Sequence, residues 1–412
     1  MAGTSQGVYT QLRWKRQTVL KTIATGGTGG QIVRRKTAGF DLKRDTYNTT
    51  DELASHQQMI SERQGVQMVD GKASTFLSAG THSDWFSALL RKDFVAGATT
   101  GAIITVTAAV TSGAAGTYTR SSGSYLTDGF KVGDVISWTG WATTGVPNNA
   151  HNALITALTA TVMTVLNIDG VAVGAKAAGD SVTGTVRGKK TMVPDTGHTN
   201  IYYTMEMWDS LATISEVSQD CKVGQAAIKI PGNGNAEVDF TIPGLDQTTP
   251  GTAAYFTSPT AETSSNVLAA ATGALIVNGA VNAVVTGINM TIDGQETPAE
   301  GVVGTRVRPD IFRKKVLIKG SFTAYFSDSV LDNLSRAETE INLICVLADS
   351  SLALAEFVSF NMPRIKLQTS SAADAEIGRI RTFNFTALYN STGGVGIATD
   401  KTTLAMQDSL AP

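Results

Sequence analysis

The chain has 412 residues, 33 Lys and Arg against 35 Asp and Glu for a formal net charge of -2, and 41 glycines beside only 10 prolines. That length can bury a sizeable core; the abundance of Gly, Thr, Ala, Ser and Val fits strands and turns and excludes a disordered or collagen-like chain; near-neutrality excludes a global electrostatic drive toward nucleic acid. The only cysteines, Cys221 and Cys345, exclude a disulfide framework and a thiolate zinc site and read as buried small hydrophobes.

The opening MAGTSQGVYTQLRWKRQ lacks the apolar stretch of a secretory signal, so folding in the cytoplasm is expected. Residues 1–98 alternate in the manner of strands, best at 31–42 and 65–77. Between these, 45–63 is polar and rich in Thr, Ser and Gln; it is too long for a hairpin turn and too polar for a core element, and predicts an exposed loop. Thr81 with Asp84 three residues on matches a capping box, and Trp85, Phe86, Leu89 and Leu90 then form one apolar helix face.

From 99 to 186 the composition shifts: Arg120, Asp128, Lys131, Asp134, Asp169, Lys176 and Asp180 are its only charged residues. Such sparing use of charge marks a separate unit, an inserted small all-β domain. Its strands are expected at 103–110, 134–141, 153–157 and 162–168, with a hairpin tip near Thr159 and Ala160 and a tight turn over 131–134. The flanks, 1–98 and 187–412, then make one discontinuous core domain. In the second flank, strands are expected at 201–208, 225–230, 236–242, 275–277, 288–292, 315–325, 341–347, 356–367 and 379–388. Asn278-Gly279 reads as a type I′ hairpin turn, because both positions need φ above zero. Together with Asn282 it interrupts the most apolar run, 267–288, so no membrane span is expected. A second helix at 328–336, capped by Ser327, packs Val330, Leu331 and Leu334.

Chemistry is hard to find. His56, His82, His151 and His198 stand among polar residues without a second ligand at helical spacing. No Gly-x-Ser-x-Gly elbow occurs, and neither cysteine sits in a nucleophile motif. The glycines of 26–30 lack the Lys-Ser/Thr ending of a phosphate loop and precede a strand, so they read as a connector. No catalytic residue, metal site or cofactor is expected, and the chain reads as a non-enzyme. Basic groups stand out instead: Arg13, Lys15 and Arg16; Arg34, Arg35 and Lys36; and Arg306, Arg308, Arg313, Lys314, Lys315 and Lys319. An acidic stretch follows the last group, with Asp328, Asp332, Glu338, Glu340, Asp349 and Glu356. That suits charge complementarity between neighbouring subunits better than phosphate binding.

Several segments resemble the major tail tube proteins of long-tailed bacteriophages. GQIVRRKTAGFDLKRDT at 30–46 and the following 64–90, with its turn at Gly71 and its Trp85/Leu89 helix, are similar to the opening of that family. TRSSGSYLTDGFKVGDVISWTGWATTG at 119–145 is similar to a β insertion found in many members, and GSFTAYFSD at 320–328, NMPRIKL at 361–367 and TFNFTALY at 382–389 are like its closing strands. The resemblance implies a mainly β fold, a β-sandwich or half-barrel core with one or two short helices. It implies six copies in a ring and rings stacked into a tube, with neighbouring sheets joined around a lumen through which the tape measure protein and DNA pass. Further partners would be the tail terminator and baseplate or tip proteins, with no membrane; the location is the virion tail, assembled in the host cytoplasm.

A tube that lets DNA slide should not hold phosphates, so an acidic or uncharged polar lumen is expected. On this reading Asp45, Tyr47, Asp51, Glu52, His56, Glu62 and Arg63, within the 45–63 loop, are candidates for contact between rings, as are Arg13 and Trp14 in the N-terminal arm. The insertion belongs on the exterior as solvated decoration. Competing readings are another β-rich virion component, such as a decoration or baseplate hub protein, and a carbohydrate-binding or carbohydrate-cleaving surface protein. The latter needs an aromatic platform, and Trp138 and Trp141, three apart on a strand, are expected on opposite faces.

Overall fold

Alternating burial along extended strands builds the largest sheet. In Glu62–Phe76, Val69, Ala73 and Thr75 are buried while Asp70, Lys72 and Ser74 face outward, the period of two that puts one face on a core. Its neighbour Glu237–Gly244 buries Val238, Phe240 and Ile242 in the same way. The computed structural model describes residues 6–51, 53, 55–142, 148–281, 285–325, 329–373 and 379–412, and among them the chain is mainly β with three short helices.

The largest sheet has 14 strands. Eleven form its path, edge to edge: Ala280–Val281, Ala269–Val277, Glu340–Ala348, Phe357–Ala373, Ile380–Ala387, Leu317–Tyr325, Val285–Asp293, Gln225–Pro231, Glu237–Gly244, Glu62–Phe76 and Thr37–Asn48; the other three, Ala405–Asp408, Lys189–Met192 and Val95–Ala96, branch in that order from Phe357–Ala373. The path curls until its two parts touch: Ala269 bridges to Asn235 and Val267 to Ser78.

A six-stranded sheet covers the inner face, in the order Asp246–Gln247, Ile214–Cys221, Tyr203–Asp209, Thr10–Arg16, Thr28–Val33 and Ser258–Thr260. Helix α1 (Ser83–Leu90) packs into the same core. Trp85 meets Phe240 edge-on at 5.0 Å, and Phe86 lies 5.5 Å from Phe240 and 6.2 Å from Phe360. Trp14, on the small sheet, lies 5.4 Å from Tyr203 and 6.5 Å from Trp85. A helix this short is marginal alone, and each buried aromatic contributes about 1.5–3 kcal/mol; packing holds α1 in place.

Residues 106–186 supply a separate six-stranded sheet, in the order Thr183–Val186, Val135–Thr139, Ala153–Leu158, Val162–Asn167, Ala115–Arg120 and Val106–Ser112, with α2 (Tyr125–Asp128) beside it. The chain enters past Val95–Ala96 and leaves through Lys189–Met192, and these two strands pair with each other. The core of this sheet does not end at its own residues. Ile276, Ile344, Val346, Ala348 and Phe357 of the main sheet belong to the same apolar cluster, while their strand neighbours Val277, Leu343, Cys345 and Val358 point into the other core. At that place the main sheet is buried on both faces.

The structure revises several expectations. The extended stretch at 31–42 is two strands in different sheets, broken where Arg34 donates to Ser265 O at 2.5 Å and Lys36 N–H to Ser74 O at 2.7 Å. The described residues of 49–61 form an exposed loop, as expected, but the two ends of the 45–63 segment are hairpin arms that pair as Tyr47↔Arg63 and Asn48↔Glu62. Polar residues on both faces hid those strand ends. Thr81 does not cap α1; His82 holds the N-cap position, and the Thr81 hydroxyl meets Thr263 Oγ1 at 2.5 Å. Helix α3 is Val330–Arg336, with Ser329 at its N-cap; Ser327 and Asp328 lie outside the described residues. Trp138 and Trp141 are not on opposite faces. Both are buried, 6.1 Å apart and packed on Tyr118, because the chain turns at Gly140, φ 93°, between them. They form core, and offer no platform to a sugar.

Candidate assembly surfaces

The open face of the main sheet is assembled one row at a time by strand register. One row runs Thr37, Ser74, Asp239, Ala227, Thr291, Lys319, Thr386 and Lys366, each directly opposite the next. Another runs Phe76, Glu237, Lys229, Asn289, Ser321 and Asn384. The residues between these rows, such as Val238, Ile228 and Met290, point into the core. The outcome is a wide face of hydroxyls, amides and mostly paired charges, with Lys319 exposed and without a carboxylate partner among the described residues. Lys229 lies 2.9 Å from Asp239, Lys36 2.5 Å from Glu237 and Lys72 3.3 Å from Asp70. The hydrogen bond to Asp239 holds the Lys229 ammonium above its ordinary pKa.

Two edges flank this face. Thr37–Asn48 ends the sheet and pairs only with Glu62–Phe76, leaving a long edge of backbone donors and acceptors. The hairpin that these strands form extends past the sheet, and every described side chain over 43–64 is exposed except the half-buried Thr49. Asp45 is 3.6 Å from Arg308, Tyr47 is 56 % exposed, and Asp51, His56, Glu62 and Arg63 all face outward. Glu52 lies outside the described residues. Near the connection Met59 and Ile60 are exposed apolar side chains, which a reading of polarity alone had passed over.

Not every candidate stands on the surface. Arg13 is buried, donates to Phe256 O at 2.8 Å and lies 3.5 Å from Glu206, and Trp14 is packed against Tyr203 and Trp85. Arg13 and Trp14 are adjacent on Thr10–Arg16 and so face opposite sides, and both sides are covered within the subunit; Val8 and Tyr9 are the exposed large apolar residues among the described residues of the arm. Of the basic group, Arg306 gives its carbonyl to Gln67 N–H at 2.9 Å, Arg308 donates to Ala299 O at 2.8 Å, and Arg313 donates to the carbonyls of His198 and Thr199. Lys314 and Lys315 are exposed.

The acidic residues find cations within the subunit. Glu340 takes two hydrogen bonds from Arg364, at 2.6 and 2.7 Å, which hold its carboxyl below the usual range. Asp332 contacts Arg381 and, at 2.9 Å, Arg336; Glu338 is 3.8 Å from Lys366. Asp328 lies outside the described residues. Within the subunit and among the described residues, the structure therefore pairs this stretch with Arg336, Arg364, Lys366 and Arg381 and not with the 306–319 cations.

Comparison with known proteins decides the family. The sequence model of the family described as phage tail tube protein matches residues 7–387. The chain belongs to the phage tail tube protein family. The match spans the small sheet, the insertion and nearly all of the main sheet, so the tail tube assignment covers the open face and the hairpin alike. No curated protein matches the chain. As a tail tube family member it is a structural component of a virion tail that assembles with copies of itself, and no helix among the described residues is long and apolar enough to cross a membrane.

Proposed function

We propose that this protein is the repeating subunit of a phage tail tube: six copies close into a ring, and rings stack into the conduit for genome ejection. The observation that carries this reading is the main sheet itself, which combines a long unpaired edge at Thr37–Asn48 with a wide polar face matched by no partner in the subunit. Joining that edge to a neighbouring copy satisfies its backbone groups, and ring closure leaves no edge over. The open face lines the lumen, where hydroxyls, amides and carboxylate-paired lysines give phosphates no uncompensated cluster to grip. The insertion rides on the exterior, on the part of the sheet whose outward face it covers.

The hairpin reaches the next ring. It is exposed along its length and carries Met59 and Ile60 near its end, a combination that suits a surface buried on assembly. Lys314 and Lys315 remain available to a neighbouring subunit. The tape measure protein and DNA occupy the bore transiently, and the terminator and baseplate or tip proteins meet the two ends of a tube assembled in the host cytoplasm. The role is structural and non-enzymatic. Negative-stain microscopy of the purified chain tests it: six-fold rings and tubes with a channel about as wide as a DNA duplex are expected, and a compact monomer or a closed trimer overturns it. A bore lined by unpaired Lys and Arg overturns the assignment of the polar face.

A further inference from the structure

The hairpin leaves the main sheet at one end, and a slit without charged side chains opens at the other. Ile230, Leu275, Val285, Ile288 and Leu347 are among the residues lining a cleft of about 220 Å³, and no Lys, Arg, Asp, Glu or His contributes to it. Register fixes where it lies. Ile230 pairs with Ile288, the adjacent Lys229 with Glu237, and Glu237 with Phe76, so the slit is level with Phe76, whereas the hairpin connection lies beyond Glu62, at the opposite end of the same strand. One wall is Ala269–Val277, which pairs with Ala280–Val281 only through Ile276 and Val277. The slit is thus bordered, among the described residues, by a strand edge without a ladder partner over 270–275.

We propose that Met59 and Ile60 of one copy seat in this slit on the next copy along the tube. The inference rests on the reading of the hairpin as the contact between rings, and names the surface that receives it. Polarity selects the occupant. Copies stacked in one orientation bring the hairpin end of each against the slit end of the next, a head-to-tail contact between unlike surfaces that repeats without limit. Chemistry agrees: Met59 and Ile60, 51 % and 63 % exposed, gain by leaving water against Ile230, Leu275, Val285, Ile288 and Leu347. Methionine is flexible enough to fill an irregular gap.

The test places a photo-crosslinking benzophenone amino acid at Met59 of the full chain, irradiates assembled tubes and unassembled protein, and maps the products by mass spectrometry. Crosslinks from Met59 to peptides carrying 270–288 or 345–347 of a second copy, in tubes only, are expected. Crosslinks to another surface of a second copy overturn the slit while leaving the hairpin as the contact between rings. Tubes without any crosslink to a second copy overturn both. Should the bulky residue at Met59 block assembly, the same probe at Ile60 reads the same contact. Independently, Ala274→Trp fills the slit; at least a tenfold loss of tubes with an unchanged Tm is expected, and an undiminished yield overturns the proposal.

Discussion

Gln407 closes both backbone hydrogen bonds of Val135: its Oε1 accepts from Val135 N–H at 2.9 Å and its Nε2 donates to Val135 O at 2.8 Å. A side-chain amide of the core domain thus stands where a neighbouring strand would stand beside the insertion. The same amide nitrogen reaches Arg187 O at 2.6 Å, and Asn361 donates to Val132 O at 2.7 Å. Gln407 is 2 % exposed, so water cannot replace it. Gln407→Leu strands the buried Val135 N–H and takes a donor from Arg187 O, while Val135 O keeps the Arg187 N–H at 3.0 Å; it is expected to lower stability by about 1–3 kcal/mol, measured by denaturant unfolding. An unchanged midpoint would show that these groups find other partners.

The fit between insertion and core goes beyond these bonds, since Ile276, Ile344, Val346, Ala348 and Phe357 are buried beneath the insertion. Removing 99–186 and joining the ends exposes that patch. The shortened chain is expected to aggregate on expression, whereas a soluble product with native-like circular dichroism would make the insertion a detachable decoration.

Lys190 stands between two carboxylates at the same junction, 2.5 Å from Asp134 and 2.7 Å from Asp400. All three are nearly inaccessible. Burial acts to lower the lysine's pKa, but the two acids outweigh it and hold the ammonium above its ordinary range. Lys190→Met leaves two buried carboxylates facing each other and is expected to cost about 3–5 kcal/mol. Adding Asp134→Asn and Asp400→Asn should restore part of the loss. A triple variant no more stable than the single one would show that the lysine holds the site by packing alone.

Two buried groups push the pH dependence in opposite directions. Burial raises Glu296 to about 7, only partly opposed by Lys222, Arg91 and Arg313 and assisted by Asp310. The folded chain keeps that proton between the ordinary value of 4.5 and about 7 while the unfolded chain releases it, so this group lowers stability as pH rises through the window. His82 has both ring nitrogens without hydrogen-bond partners and packs on Phe240 at 5.6 Å. Burial, with Arg34 adding to it, holds it down to about 3 against an ordinary 6.5, so stability falls as pH drops from 6.5 toward 3. The histidine shift is the larger, and acid should destabilise the wild type. Glu296→Gln removes only the opposing effect: its Tm should match the wild type near pH 4.5 and exceed it by a few degrees at pH 8. A constant difference across that range would remove Glu296 as a titrating group.

Replacing 50–60 by Asn-Gly shortens the hairpin, and every described residue it removes is exposed. Stability of the subunit should stay within about 0.5 kcal/mol of wild type, while tubes fail to elongate. Tubes of normal length and resistance to denaturant would show that the hairpin makes no contact between rings.

The sequence disclosed elements whose two faces differ chemically. Glu237–Gly244 and α1 were readable because Val238, Phe240 and Ile242, or Trp85, Phe86, Leu89 and Leu90, recur with the period of a strand or a helix. The ends of the hairpin were not, because Asp45, Tyr47, Glu62 and Arg63 bury nothing and look like loop. Their cue is Gly65: a β-carbon there would lie 2.2 Å from the Tyr47 ring, so a glycine diagonal to a cross-strand aromatic marks paired strands. The charged stretches were visible as composition, but register decides which cation meets Glu340, and register is set by contacts far apart in sequence. Ile344 and Val346 facing a second core were equally hidden, since an unbroken apolar run does not say what covers its far side.

Lys229 and Lys72, the closely paired lysines of the open face, have one more consequence. A cation with a carboxylate 3 Å away acts at a distance as a dipole, whose field fades faster than that of a bare charge and is further screened within about 8–10 Å at physiological ionic strength. A strand of phosphates travelling past such a wall meets a shallow, nearly level potential instead of a ladder of traps. Transit through such a bore should therefore show little friction, and its speed should respond only weakly to added salt.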